Sequence, residues 1–67
     1  MRDPEYIIKI AADSVQQLRR IDLERVLDNC TDVELQPTAE YIRDKRPEYA
    51  AKVEQELDYQ LEERRAV

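Results

Sequence analysis

The side chains that could do chemistry in this chain are carboxylates, one thiol and four phenols. There is no histidine and only one cysteine, Cys30, so the sequence lacks the usual ligands of a zinc site. Carboxylate pairs such as Glu54 and Asp58 stand at helical spacing, but 16 acids in 67 residues produce such spacings by chance. We therefore expect no catalytic residues, no metal site and no cofactor, and predict that the protein is not an enzyme.

The absence of glycine narrows the possible functions further. Phosphate-cradling loops and type I′ hairpin turns both depend on glycine, so most nucleotide-binding sites and β-meander folds are excluded. Acids outnumber bases by 16 to 11, and the net charge of −5 is spread along the whole chain. Because nucleic-acid binding needs bases that neutralise phosphates, we expect no direct contact with nucleic acid.

Three further features predict a cytoplasmic protein. A lone cysteine cannot form an internal disulfide, which indicates a reducing compartment. No apolar run approaches the ~20 residues that span a membrane. The N-terminus, Met1-Arg2-Asp3-Pro4, lacks the apolar segment of a signal peptide.

A helix is predicted to begin near the N-terminus, because Asp3 can cap it and Pro4 and Glu5 suit its first turn. An apolar stripe then continues at helical spacing, which favours one long helix over residues 4–29. The alternative is a break near Asp13-Ser14, where Ser14 and Gln17 match a capping box. The stripe consists of Ile8, Ala11, Ala12, Val15, Leu18, Leu23, Val26, Leu27 and Cys30.

Residues 29–36 are predicted as a loop. Within this loop Thr31 and Glu34 match a capping box, which indicates a brief turn that buries Val33 and Leu35.

Prolines divide the rest of the chain. Pro37 is predicted to open a short helix, and Pro47 to break it at residues 45–47 and open the last one. The last helix has a thin inner stripe surrounded by acids, formed by Ala50, Val53, Leu57 and Leu61. The whole pattern predicts an all-α fold in one helical domain over residues 1–67. It is a small bundle with a long first helix, a short second and an acidic third, or four helices if the first is broken near Asp13-Ser14.

Five side chains are predicted to bind a partner. Tyr6, Ile10 and Ile21 form a second apolar line, nearly opposite the first, on a continuous first helix. Tyr59 points away from the stripe of the last helix and Tyr49 lies at its edge. Exposed tyrosines are enriched at interfaces because they bury a large area at a low cost in entropy.

These features predict a small acidic accessory or regulatory protein that binds another protein, or itself as a homodimer, through an apolar helix face. A partner would add burial to a chain whose short length makes its stability marginal. Two alternatives stay open. One is an acidic mimic of nucleic acid, for instance from a virus, that inhibits a DNA- or RNA-binding enzyme. The other is a self-assembling structural protein.

Overall fold

The computed structural model describes residues 1–12, 14–16 and 20–66, and regular structure within these ranges is helical, with no strand. The predicted small all-α bundle is confirmed. No helix among these residues is both long enough and apolar enough to cross a membrane. The elements are α1 (Pro4–Ala11), α2 (Leu23–Asp28), α3 (Asp32–Lys45), a short 3₁₀ helix (Pro47–Tyr49) and α4 (Ala50–Arg65).

The prediction of one long first helix is wrong. Helix α1 begins as expected, with the Asp3 side chain accepting from the Glu5 N–H at 2.9 Å, but the chain becomes extended at Ala12 (φ −88°, ψ 133°). A straight helix over residues 4–29 would be about 39 Å long and would hold Ile8 about 27 Å from Val26. The longest dimension of the molecule is 34 Å, and Ile8 and Val26 line one small cavity together. The break therefore lets both halves of the predicted stripe enter the same core.

The break also changes which side chains are buried. Ile7, absent from the predicted stripe, is fully buried, whereas Val15 is 70% exposed. The predicted stripe assumes the phase of a single helix, and that phase does not continue from α1 to Val15 across the break at Ala12. Leu18, and Asp13 and Gln17 of the alternative capping site, lie outside the described residues. The core consists of Ile7, Ile8, Ala11, Ile21, Leu23, Val26, Leu27, Cys30, Leu35, Ala39, Ile42 and Val53.

The predicted loop over residues 29–36 is shortened to residues 29–31, because α3 begins at Asp32. Pro37, predicted to open a short helix, lies inside α3. The capping box forms, and the Thr31 N–H donates to Glu34 Oε1 at 2.9 Å. Leu35 is buried as predicted, but Val33 is 75% exposed. Pro37 cannot donate a hydrogen bond to the Val33 carbonyl four residues earlier. Exposure of Val33 leaves that carbonyl accessible to water, which lowers the cost of a proline inside the helix.

Helix α3 ends at Lys45, and Arg46 before Pro47 leaves helical geometry (φ −134°, ψ 73°). Helix α4 packs on α2 and α3 through Val53, with Leu57 and Leu61 partly buried. Helix α1 packs on α2 and α3 as well, through Ile7, Ile8 and Ala11.

Candidate functional site

The structure separates the five predicted partner-binding residues into three places. Tyr6 and Ile10 are exposed on α1, and Ile21 and Tyr49 are packed against the core. Tyr59 lines an acidic groove between α2 and α4. The single apolar line that the sequence predicted through Tyr6, Ile10 and Ile21 does not exist, because the helix that would have carried it ends at Ala11.

Tyr6 and Ile10 form what we call the α1 outer face. They stand four residues apart, so their side chains are neighbours on one side of the helix. Their exposed fractions are 53% and 44%, and the inward side of α1 is occupied by Ile7, Ile8 and Ala11. The α1 outer face is thus an apolar pair on the opposite side of the helix from the core.

Ile21 and Tyr49 have a structural role. Ile21 is only 7% exposed, and its N–H donates to the Tyr49 hydroxyl oxygen at 3.3 Å. The phenol ring packs against the core from the 3₁₀ helix. This contact joins the start of α2 to the start of α4, and it leaves little of Ile21 exposed to a partner.

The acidic groove lies between α2 and α4 and has a volume of about 500 Å³. Four carboxylates and one guanidinium line it, together with the exposed ring of Tyr59 and the buried Gln60. The charge of Glu63 and a hydrogen bond to its carboxylate raise the pKa of the Tyr59 hydroxyl. The groove therefore presents a negative field around an aromatic ring. The charged residues are Asp22, Glu24, Asp28, Glu63 and Arg25.

Arg2 fixes the N-terminal segment to the first turn of α3. Its Nε and terminal nitrogen donate to the two carboxylate oxygens of Glu34 at 2.9 and 2.8 Å, and its backbone N–H adds a third bond at 2.8 Å. The same guanidinium donates to the Asn29 carbonyl at 2.7 Å. These bonds satisfy a carboxylate that is only 3% exposed, and hydrogen bonds from Arg2 and Thr31 lower the pKa of Glu34 far below its ordinary value.

Arg64 makes a similar set of contacts from the other end of the chain. It donates to Asp32 Oδ1 at 2.7 Å and to the carbonyls of Leu27 and Cys30 at 3.1 and 2.7 Å. Its Nε donates to the buried Gln60 amide oxygen at 3.3 Å. Arg64 thereby joins the last turn of α4, the end of α2 and the start of α3.

The thiol of Cys30 and the carboxylate of Glu54 both make structural contacts. Cys30 is 4% exposed, its thiol donates to the Val26 carbonyl at 3.3 Å, and burial raises its pKa. Glu54, one of the two carboxylates at helical spacing, pairs with Arg43 of α3 at 3.1 Å. Within the described ranges no three or more acids and cysteines converge on a point where a metal ion could bind.

Comparison of the chain with protein-family models, curated proteins and solved structures gives no match. Among the described residues, the α1 outer face and the acidic groove are accessible surfaces that a partner can reach.

Sequence reasoning missed the acidic groove. Its signal was present, since Glu24 and Asp28 on α2, and Tyr59 and Glu63 on α4, are pairs four residues apart that lie on one helix side. Whether these two helix sides face each other depends on tertiary packing. Among the sixteen acids of the sequence, no pair stands out locally.

Proposed function

We propose that the protein is a small accessory or regulatory protein that binds another protein through the α1 outer face. The observation that supports the proposal most strongly is the exposure of Tyr6 and Ile10 side by side, opposite the buried side of α1. An aromatic and an aliphatic side chain four residues apart are the anchors with which an amphipathic helix enters an apolar groove.

The size of the α1 outer face favours a partner with a groove over a second copy of this chain. A stable interface buries about 800 Å² on each side. Helix α1 is about 12 Å long, so two copies packed helix to helix would bury much less than this. A concave partner can surround Tyr6, Ile10 and the polar side chains beside them, and so bury more of the same short helix.

The experiment is affinity capture from native lysate with wild type, Ile10→Asp and Tyr6→Ser. Both side chains are about half exposed, so both variants should fold, as circular dichroism would verify. Val33→Asp is the matched control, because it introduces the same charge at an exposed apolar residue on another helix. We expect a partner that is retained by wild type and Val33→Asp and lost by the two α1 variants.

Two outcomes would contradict the proposal. Capture of the same proteins by all four chains would show that the α1 outer face is not the binding surface. A concentration-dependent mass of wild type in sedimentation, absent in Ile10→Asp, would show that the face binds a second copy instead.

The acidic groove supports a second candidate, a mimic of nucleic acid that occupies a basic groove on an enzyme. The supporting observation is the meeting of carboxylates from α2 and α4 around an exposed aromatic ring. The test is the triple variant Glu24→Gln, Asp28→Asn and Glu63→Gln, together with competition by duplex DNA. A mimic predicts that the variant loses the captured protein and that excess DNA displaces it from wild type. Retention in both experiments would exclude the mimic.

A further inference from the structure

We propose that α1 opens and closes as a unit of its own, and that the Arg2–Glu34 contact is the latch that holds it closed. This inference concerns the conformational behaviour of the chain and does not depend on the proposed function. It follows from how polar contacts and core residues are divided among helices α1 to α4 of the described residues.

The latch gathers three polar contacts of the N-terminal segment at one residue. Three of the four hydrogen bonds from Arg2 end on the Glu34 carboxylate, at 2.8 to 2.9 Å. A further tie comes from the Tyr41 hydroxyl, which donates to Glu5 Oε1 at 2.6 Å. Both contacts join α3 to the N-terminal part of the chain, one at Arg2 before α1 and one at Glu5 in its first turn. Loss of the Glu34 charge should therefore weaken the first of these two contacts and leave the second in place.

The remaining helices are joined without help from α1. Arg64 on α4 binds the end of α2 and the first residue of α3, and the Tyr49 hydroxyl accepts from the Ile21 N–H. Most of the buried core residues also belong to the part of the chain from Ile21 onwards. Its buried apolar members are Ile21, Leu23, Val26, Leu27, Cys30, Leu35, Ala39, Ile42 and Val53.

Helix α1 contributes less and cannot persist alone. It has eight residues and buries Ile7, Ile8 and Ala11. Isolated helices shorter than about 12 residues are marginal in water, so release of α1 from its neighbours should melt it. At Ala12 the chain is extended, so α1 is not the first part of a longer helix that would have to move with it. Opening is then a local unfolding event with a lower free energy than global unfolding.

Native-state hydrogen exchange of the full chain tests the proposal residue by residue. In wild type the amides of residues 7–11 should exchange faster than the amide of Ile42 at the centre of the core. Glu34→Gln should raise exchange over residues 7–11 by about tenfold or more, and that of Ile42 by no more than the same factor, because the latch is broken in the globally unfolded chain as well. Glutamine can still complete the capping box, so the start of α3 is preserved.

The matched control is Glu40→Gln, which removes an exposed carboxylate from the same helix and should change neither set of amides. Arg2→Lys keeps the positive charge but loses the forked contact, and should accelerate residues 7–11 to a smaller extent. It also replaces Glu34→Gln as the test if that variant does not fold. Equal exchange rates for residues 7–11 and Ile42 in wild type, or no acceleration of residues 7–11 by either latch variant, would overturn the proposal.

Discussion

Replacement of Arg64 by alanine should cost a large share of the stability of the protein. The guanidinium is 24% exposed and donates to the carbonyls of Leu27 and Cys30 at the end of α2. The bond to Asp32 adds little, because that carboxylate is 86% exposed and its ion pair is screened by water. Bonds from a charged donor contribute about 1.5–3 kcal/mol each, and water will replace part of them. We expect a loss of about 2–3 kcal/mol.

A chain of this length has a free energy of unfolding of about 3–10 kcal/mol, so the loss is easily measured. Urea denaturation followed by circular dichroism should show it, with a fall in melting temperature of roughly 10–20 °C. Arg65→Ala is the control, since Arg65 is exposed in the same helical turn, and should stay within about 0.5 kcal/mol of wild type. If Arg64→Ala and Arg65→Ala are equally stable, the joining role assigned to Arg64 is wrong.

Three further predictions concern single side chains. The folded state holds the pKa of Glu34 below its ordinary value of 4.5, so the unfolded chain takes up a proton first as the pH falls. The free energy of unfolding should therefore decline below about pH 5. In urea titrations Glu34→Gln should lose less stability between pH 6 and pH 3 than the control Glu40→Gln. Tyr49→Phe removes the acceptor of the Ile21 N–H and should cost about 1 kcal/mol by urea denaturation, and no loss would mean that water satisfies that N–H. The buried thiol of Cys30, whose pKa burial raises, should react with an aromatic disulfide reagent at least about a hundredfold faster in urea than in buffer, and equal rates would refute its burial.

Local features of the fold were predictable from sequence. The Asp3 cap and the Thr31–Glu34 capping box each depend on residues within one helical turn, and both form. Likewise Pro47 restricts only the residue before it, and α3 ends at Lys45. Such signals do not depend on the rest of the chain.

Features that depend on tertiary contact were not predictable. No glycine or proline ends α1, and the break is favoured because Ile8 and Val26 can then share one core. Arg2 and Arg64 act on residues more than 25 positions away, and nothing distinguishes them locally from the other nine bases. The burial of Ile21, which removes it from the predicted binding surface, follows from the same break.

The most direct test of the proposed function is the salt dependence of binding to the captured partner. The α1 outer face is apolar, so we expect the dissociation constant to change by less than about threefold between 50 and 500 mM NaCl, and Ile10→Asp to weaken binding by about tenfold or more at both concentrations. A dissociation constant that rises steeply with salt and is unaffected by Ile10→Asp would contradict the proposal and assign binding to the acidic groove.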